Sequence, residues 1–171
     1  VSMLHDFMMH REDDTFLKKH LGAVEGILNW YHSRIDKDKQ MLGPMSWWNF
    51  TDWSAGFPDM GVPPGATNGN PAVITLQYIY TLKQAAALYA HFDQTDQAEN
   101  CLKIAEGLRT GIVRNCFDRN SGLFGDTPDK KTFSQHANIM AILAEAVPEN
   151  DMPSLMKKIL YDKSLSQATF Y

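Results

Sequence analysis

The chain has 171 residues, enough for one domain with a buried core, and its 44% hydrophobic and 21% charged residues are close to globular averages. A formal charge of −4, from 16 Lys and Arg against 20 Asp and Glu, and the lack of a basic stripe that could follow phosphates disfavour nucleic-acid binding. No apolar run approaches the roughly 18 residues that span a bilayer, so we expect no membrane insertion.

The first part of the chain is predicted to be helical. Met3, Leu4 and Phe7 are typical of the end of one helix, and Asp13 offers a cap for the next. Apolar side chains then recur at three- and four-residue steps, which predicts an amphipathic helix over residues 15–35.

Residues 36–70 lose this periodicity, because Gly and Pro interrupt the segment repeatedly. An irregular connection of this length in a compact domain is more often functional than idle. Asn70 as a cap and Pro71 as the first helical residue then predict a helix that ends in a tight turn at residues 93–96.

The following helix is predicted to extend to about Phe117 and to carry both cysteines, Cys101 and Cys116. On one helix the two residues lie ~22 Å apart, and a disulfide requires Cα atoms within ~7 Å. We therefore expect two free thiols.

A second irregular connection, residues 118–131, is predicted to contain a short hairpin at residues 120–122. Thr132 and Gln135 have the spacing of a capping box, which predicts a helix that continues through Ala146. Pro148 ends this helix and Pro153 begins the last one.

The long connections alternate with short turns. Antiparallel helix hairpins packed side by side would place both long connections at one end, where loops can build a site. No repeat of fixed length is present, which disfavours a solenoid. The sequence therefore predicts an all-α chain of antiparallel helix hairpins, one domain over residues 1–171, arranged as part of a helical toroid.

The first long connection contains the segment MSWWNFTDWSAGF, residues 45–57, which we call the aromatic loop. The apolar C–H face of a sugar stacks on aromatic rings, and its hydroxyls need carboxylates or amides. The loop offers rings of this kind at Trp47, Trp48, Phe50, Trp53 and Phe57, and polar groups at Asn49, Asp52 and Asp59. An alternative of equal weight is that the rings only plug the end of a helical bundle.

Four motifs carry a family resemblance. In order they are WWNFTDW with the Gly- and Pro-rich loop after it, Leu82 with Ala86, Phe117 with Gly122 and Asp126, and Ser134-Gln135 with Asn138 and Ala141. Together they resemble the α-L-rhamnosidase family of glycoside hydrolases, family 78, from about Leu4 to Ala146.

This resemblance implies an (α/α)6 toroid that hydrolyses terminal α-L-rhamnosides with inversion. It also implies that an aromatic residue like Trp53 walls the rhamnose pocket beside an acid like Asp52, with Trp48 as a further wall. The expected partner is a rhamnose-containing oligosaccharide or glycoside.

The chain departs from the family pattern at the catalytic acids. Inversion needs two carboxylic acids roughly 6.5–9.5 Å apart. The family's general-acid motif is not recognisable in residues 1–40, and its general base lies after the helix that begins at Ser134-Gln135, where no match is found. We therefore expect an interior portion of a catalytic domain, with sugar-binding walls, both catalytic acids outside the chain, and the rest of that domain as its partner.

The resulting candidate set for substrate binding is Trp48, Asn49, Asp52, Trp53, Phe57, Gln135 and His136. Gln135 and His136 are included because they begin a helix near the long-loop end, although a solvated histidine is the commoner case. His5 and His10 are spaced by five residues rather than the four of a helical zinc pair, so no metal site is expected. No cofactor is expected either.

Two alternatives remain open. One is another toroid sugar hydrolase, such as a trehalase-like enzyme or a debranching glucosidase. The other is a non-catalytic helical module that binds a glycan or a protein. The compartment is equally open between periplasm and cytoplasm.

Overall fold

The computed structural model describes residues 1–169, and most of them lie in helices, as predicted. The helices are α1 (Ser2–His10), α2 (Asp14–His32), α3 (Ala72–His91), α4 (Thr95–Cys116), α5 (Gln135–Leu143) and α6 (Met152–Tyr161). A 3-10 turn, Glu149–Asp151, precedes α6. The strands are β1 (Ile35–Asp36), β2 (Met41–Leu42), β3 (Phe117–Asp118) and β4 (Leu123–Phe124).

Helix α3 is the centre of the packing. It contacts α1 and α2 from the first part of the chain, α5 from the last part, and α4 along most of its length. Its buried residues include Leu76, Ile79 and Leu82, each about 1% exposed or less. The core therefore lies between hairpins that share α3, as the predicted side-by-side arrangement requires. No helix among residues 1–169 is both long and apolar enough to cross a bilayer.

Two short antiparallel hairpins follow α2 and α4. In β1–β2, Ile35 pairs with Leu42, and in β3–β4, Phe117 pairs with Phe124. The second hairpin was predicted and is confirmed, whereas the first was not predicted.

The predicted end of α2 at residue 35 is wrong, because the helix ends at His32. The Ser33 hydroxyl donates to the Trp30 carbonyl at 2.8 Å, and Arg34 Nη1 donates to the same oxygen at 2.6 Å. These donors replace the backbone N–H groups that a longer helix would have supplied. The chain is then free to enter β1.

The caps divide into one confirmed prediction and two corrections. Asp13 caps α2, since its Oδ1 accepts from the Phe16 N–H at 2.9 Å. Asn70 is not a cap, because its amide donates to the Leu42 carbonyl at 3.1 Å and Pro71 precedes the first helical residue.

The predicted capping box at Thr132 is also wrong. Ser134 caps α5 by accepting from the Ala137 N–H at 3.1 Å. The helix ends at Leu143 rather than continuing through Ala146, and Glu145 lies just beyond with a φ of 56°, outside the helical region.

Both cysteines lie on α4, where they are buried and free, as predicted.

The two long connections meet at one end of the helices, which confirms the predicted arrangement. The Ala72 N–H at the start of α3 donates to the Asp126 carbonyl at 2.8 Å. Gly65 packs so closely on Thr127 that a Cβ there would lie 2.8 Å from the threonine methyl. The aromatic loop and the start of α5 are therefore part of the same surface.

Candidate functional site

The aromatic loop presents three rings as one exposed cluster. The ring centroids of Trp48, Phe50 and Trp53 lie 5.0–6.5 Å apart with tilted planes. Trp48 remains 63% exposed and Trp53 52% exposed, although the Trp48 indole N–H donates to the Met60 carbonyl at 3.1 Å. Large apolar rings held in solvent by a specific hydrogen bond form a ready stacking surface.

Gly61 shapes the return of this loop. Its carbonyl accepts from the N–H groups of Thr51 and Asp52, and its φ of 78° lies in the left-handed region that favours glycine. A Cβ at this position would lie 2.6 Å from the Phe50 ring and 2.8 Å from the Asp52 carbonyl. The backbone at Gly61 therefore sets where Asp52 and its neighbouring rings lie.

Asp52 is the central polar group of the site. Its Oδ2 lies 2.7 Å from His136 Nε2 and accepts from the Thr169 N–H at 2.8 Å, and its Oδ1 accepts from the Thr169 hydroxyl. Burial would raise the pKa of this carboxyl, but the hydrogen bonds from Thr169 and His136 outweigh it and lower the pKa to about 2. Asp52 is therefore a fixed anion at neutral pH.

His136 stands on the first turn of α5, next to the Ser134 cap. Its ring packs on Phe57 with centroids 4.7 Å apart, and its side chain is 12% exposed. Since an ionised carboxylate only accepts hydrogen bonds, the Nε2 facing Asp52 carries the proton. The buried Nδ1 has no hydrogen-bond partner among residues 1–169.

A segment near the end of the chain, residues 165–169, forms another wall of the site, and we call it the C-terminal strap. Ser166 pairs with the start of α5 through its N–H to the Phe133 carbonyl and its carbonyl to the Gln135 N–H, both at 2.9 Å. The Ser54 hydroxyl donates to the Gln167 carbonyl at 2.7 Å. The strap thus joins the aromatic loop to α5 and delivers Thr169 to Asp52.

From the predicted set, the structure places Trp48 beside Trp53 and Asp52 beside His136, but it gives the other members different surroundings. Phe57 is 2% exposed and packs with Val73 and Ala137 beneath His136, so in this structure it offers no face to a ligand. Asn49 orders its own loop, since its amide donates to the Trp47 carbonyl at 2.6 Å.

The side chain of Gln135 is used within the protein at both ends. Its Nε2 donates to the Ile159 carbonyl at 2.7 Å, and its Oε1 accepts from the Ala168 N–H at 2.8 Å. This position makes Gln135 a link between α6, α5 and the C-terminal strap rather than an open hydrogen-bonding group.

Two carboxyl groups lie near His136, and neither suits the role of general acid. Asp52 is ionised at neutral pH for the reasons given above. Asp126 is 1% exposed and accepts from the Ser134 hydroxyl, and although burial raises its pKa, a ligand cannot reach it. In residues 1–169, no cluster of three or more His, Cys, Asp or Glu side chains is arranged to hold a metal ion.

Sequence reasoning missed Thr169 and Gly61. The strap carries no periodic pattern and no known motif, so nothing local marks Thr169. Gly61 had a usable signal, because glycine is the residue that most readily supplies a positive φ in a turn.

Comparisons with known proteins give a consistent result. The family model described as the bacterial α-L-rhamnosidase 6 hairpin glycosidase domain matches residues 1–167. No curated protein sequence matches the chain.

Two solved structures share the fold. A GH78 family rhamnosidase of Bacillus sp. GL1 has a TM-score of 0.82 over 96% of this chain, at 19% sequence identity. A rhamnosidase from Klebsiella oxytoca with rhamnose bound has a TM-score of 0.80 over 98% of this chain, at 17% identity. The matched regions are 17% and 30% of those two proteins, so the chain spans less than a third of either one.

Proposed function

Since the chain belongs to the bacterial α-L-rhamnosidase six-hairpin glycosidase domain family, we propose that it supplies the sugar-binding wall of a domain that hydrolyses terminal α-L-rhamnosides with inversion. Residues 1–171 are then one incomplete (α/α)6 catalytic domain, and the partner of the chain is the remainder of that domain. The substrate is a rhamnose-containing oligosaccharide or glycoside.

One observation carries this proposal: two exposed indole faces, Trp48 and Trp53, lie in the same loop as a carboxylate that is fixed as an anion, Asp52. A pyranose needs both elements at once, an aromatic surface for its C–H face and an ionised acceptor for its hydroxyls. Within residues 1–169 the rings do not plug the helical bundle, since Trp53 is 52% exposed. The arrangement therefore favours a sugar platform.

The same surface supports rhamnose as the sugar. L-Rhamnose carries a methyl group at C6, which benefits from an apolar wall, whereas glucose carries a hydroxymethyl group that needs a polar partner. Phe50, 42% exposed between the two indoles, adds apolar surface of that kind. We therefore expect rhamnose to bind more tightly than glucose.

The catalytic acids of the proposed reaction lie outside this chain. An inverting enzyme needs a carboxylic acid that donates a proton and a carboxylate that activates water on the opposite side of the sugar. Asp52 has a pKa of about 2 and so cannot keep a proton to donate at neutral pH. The proposed role of Asp52 is to bind a hydroxyl rather than to catalyse.

The test is a tryptophan-fluorescence titration of the chain with L-rhamnose and D-glucose, together with an assay of chromophore release from an aryl α-L-rhamnoside. We expect the emission to change with rhamnose at lower concentration than with glucose, and no chromophore to be released. Tighter glucose binding supports a trehalase-like or debranching enzyme instead. Absence of sugar binding contradicts the proposal, and hydrolysis by this chain alone contradicts the location of the acids.

A further inference from the structure

The carboxylate of Asp52 has little acceptor capacity left. An ionised carboxylate offers about four acceptor positions, two on each oxygen. Oδ2 already accepts from His136 Nε2 at 2.7 Å and from the Thr169 N–H at 2.8 Å. Within residues 1–169, Oδ1 accepts only from the Thr169 hydroxyl. One position therefore remains, and it is on Oδ1.

The two donors come from elements that are themselves held in place. His136 sits on the first turn of α5 and rests on Phe57, which is 2% exposed. Thr169 belongs to the C-terminal strap. Its neighbour Ala168 anchors the strap by donating its N–H to the Gln135 Oε1 at 2.8 Å. The Asp52 N–H is in turn bonded to the Gly61 carbonyl. The carboxylate is thus fixed from three separate segments of the chain.

From this geometry we propose that His136 and Thr169 act as positioning residues that hold Asp52 in one orientation and leave a single acceptor, on Oδ1, for one sugar hydroxyl. This inference rests on the sugar-binding function proposed above. Asp52 then accepts from one sugar hydroxyl rather than from two neighbouring ones, and two residues far apart in sequence determine this number.

The distinction has a chemical consequence. We call the hydrogen bonds from His136 and Thr169 to the Asp52 carboxylate the clamp. Without the clamp, a carboxylate can accept from two vicinal hydroxyls in a bidentate manner, so the loss of either hydroxyl weakens binding. A clamped carboxylate with one free position loses affinity only when its one hydroxyl is removed. The pattern of sensitivity across deoxy sugars therefore reports the clamp directly.

The experiment combines Asp52→Asn with methyl α-L-rhamnoside and its 2-, 3- and 4-deoxy derivatives, titrated against the chain by calorimetry or tryptophan fluorescence. Asp52→Asn removes the negative charge of the acceptor, which costs roughly 10-fold in affinity for the parent sugar. We expect one deoxy derivative to bind the wild-type chain weakly and to be insensitive to Asp52→Asn. The other two derivatives should lose about 10-fold with Asp52→Asn, as the parent does.

Variants of Thr169 test its role in the clamp. Thr169→Val removes the hydroxyl donor while keeping the shape and the N–H, so Oδ1 gains a second free acceptor. We expect a second hydroxyl to become coupled to Asp52 in this variant, with a change in parent affinity of about 3-fold or more. Thr169→Ser keeps the hydroxyl and should retain the wild-type pattern. Unchanged far-ultraviolet circular dichroism and melting temperature verify that each variant folds.

A measurement without sugar tests His136. Imidazole ¹⁵N shifts should show the proton on Nε2 in the wild-type chain, and the distribution between the ring nitrogens should change in Asp52→Asn. A proton held on Nδ1 of the neutral ring in the wild-type chain would overturn the clamp.

The outcomes separate this inference from the function on which it rests. If Asp52→Asn leaves rhamnose affinity unchanged, Asp52 does not bind the sugar, and both the proposed role of Asp52 and the clamp are overturned. If Asp52→Asn weakens binding but two hydroxyls are coupled to Asp52 in the wild-type chain, the function stands and the clamp is overturned. The clamp is also overturned if Thr169→Val behaves as Thr169→Ser does.

Discussion

Asp52 and His136 stand 84 positions apart in the sequence, and the Oδ2 of one lies 2.7 Å from the Nε2 of the other. Asp52 belongs to the first long connection and His136 to the helix that follows the second. Their contact is therefore a direct link between the two long connections. It fixes the position of the Asp52 carboxylate, which directly precedes Trp53 in the aromatic loop.

The first prediction concerns these rings. Trp53→Ala should weaken rhamnose binding by up to about 10-fold, because it removes an exposed stacking face worth about 0.5–1.5 kcal/mol. Titration of the purified variants by calorimetry measures this loss.

Trp30→Ala is the control for this prediction. The Arg34 guanidinium lies 3.6 Å from the centroid of the Trp30 ring, so that ring has one face already occupied. We expect its replacement to leave rhamnose affinity within 2-fold. Equal losses in the two variants at matched thermal stability would count against the sugar platform.

The second prediction concerns stability against pH. The folded-state pKa of Asp52 is about 2, below its ordinary value of 3.8. A lowered pKa contributes stability that is fully present above about pH 4 and is lost as the pH falls toward 2. Because solvent screens charges at this edge of the protein, we expect the lowered pKa of Asp52 to contribute about 1 kcal/mol to the free energy of unfolding at neutral pH.

The measurement is urea unfolding of the wild-type chain and Asp52→Asn at pH 7, 4 and 2. The difference in the free energy of unfolding should be largest at pH 7 and should shrink between pH 4 and 2. Other acidic residues with lowered pKa are common to both proteins and cancel in the difference. A difference that grows on acidification would show that the hydrogen bonds of Asp52 do not stabilise its charged form.

The helices were predictable because each carries a local signal, whereas the site required contacts that no local signal encodes. The Asp13 cap is three residues from the N–H it accepts from, and sequence spacing was enough to find it. Thr169 reaches Asp52 across 117 positions, and nothing in the strap identifies that partner. Tertiary packing alone decides such a pair.

The two wrong caps have a related cause. Asn70 and Thr132 are both suitable cap residues. Ser134 caps α5 in place of Thr132, and the Asn70 side chain bonds to a different part of the chain. The Asn70 amide donates to the buried Leu42 carbonyl of β2. Strands β1 and β2 have two residues each, which is too short for a hydrophobic period that would predict them from the sequence. A buried unpaired carbonyl costs more than a cap contributes, so the amide serves the carbonyl.

The third prediction tests the backbone beneath Asp52. Gly61→Ala should abolish measurable rhamnose binding, because it combines a φ of 78° with a Cβ 2.6 Å from the Phe50 ring. Gly69→Ala is a matched control in the same connection, since its Cβ would meet ordinary contacts at 3.5 Å without a positive φ. Both variants are compared by rhamnose titration and by melting temperature. Wild-type affinity in Gly61→Ala would contradict the role of this turn in placing Asp52.

The fourth prediction concerns the thiols of α4. Burial raises the pKa of Cys116 to about 12 and also raises that of Cys101, so both stay as thiols at pH 8. Because the thiolate is the reactive form, a disulfide reagent should react with neither residue in the native chain. In denaturant it should titrate two thiols per chain. Rapid reaction of either thiol in the native chain would mean that this part of α4 opens readily.

The fifth prediction separates two glycines on α4. A Cβ at Gly111 would lie 2.0 Å from the Gln40 carbonyl oxygen, because the turn between β1 and β2 packs directly on the helix backbone. Gly111→Ala must push this turn away and should destabilise the chain by about 2–3 kcal/mol.

Gly107, one helical turn earlier, has nothing within 4 Å of its Cβ position. Gly107→Ala should stabilise the chain by about 0.5–1 kcal/mol through helix propensity. Urea unfolding of the two variants measures both changes on one helix. Opposite signs are expected because the substitution is the same and only the surroundings of the added methyl group differ, and destabilisation of similar size at both positions would contradict the close packing of the β1–β2 turn on α4.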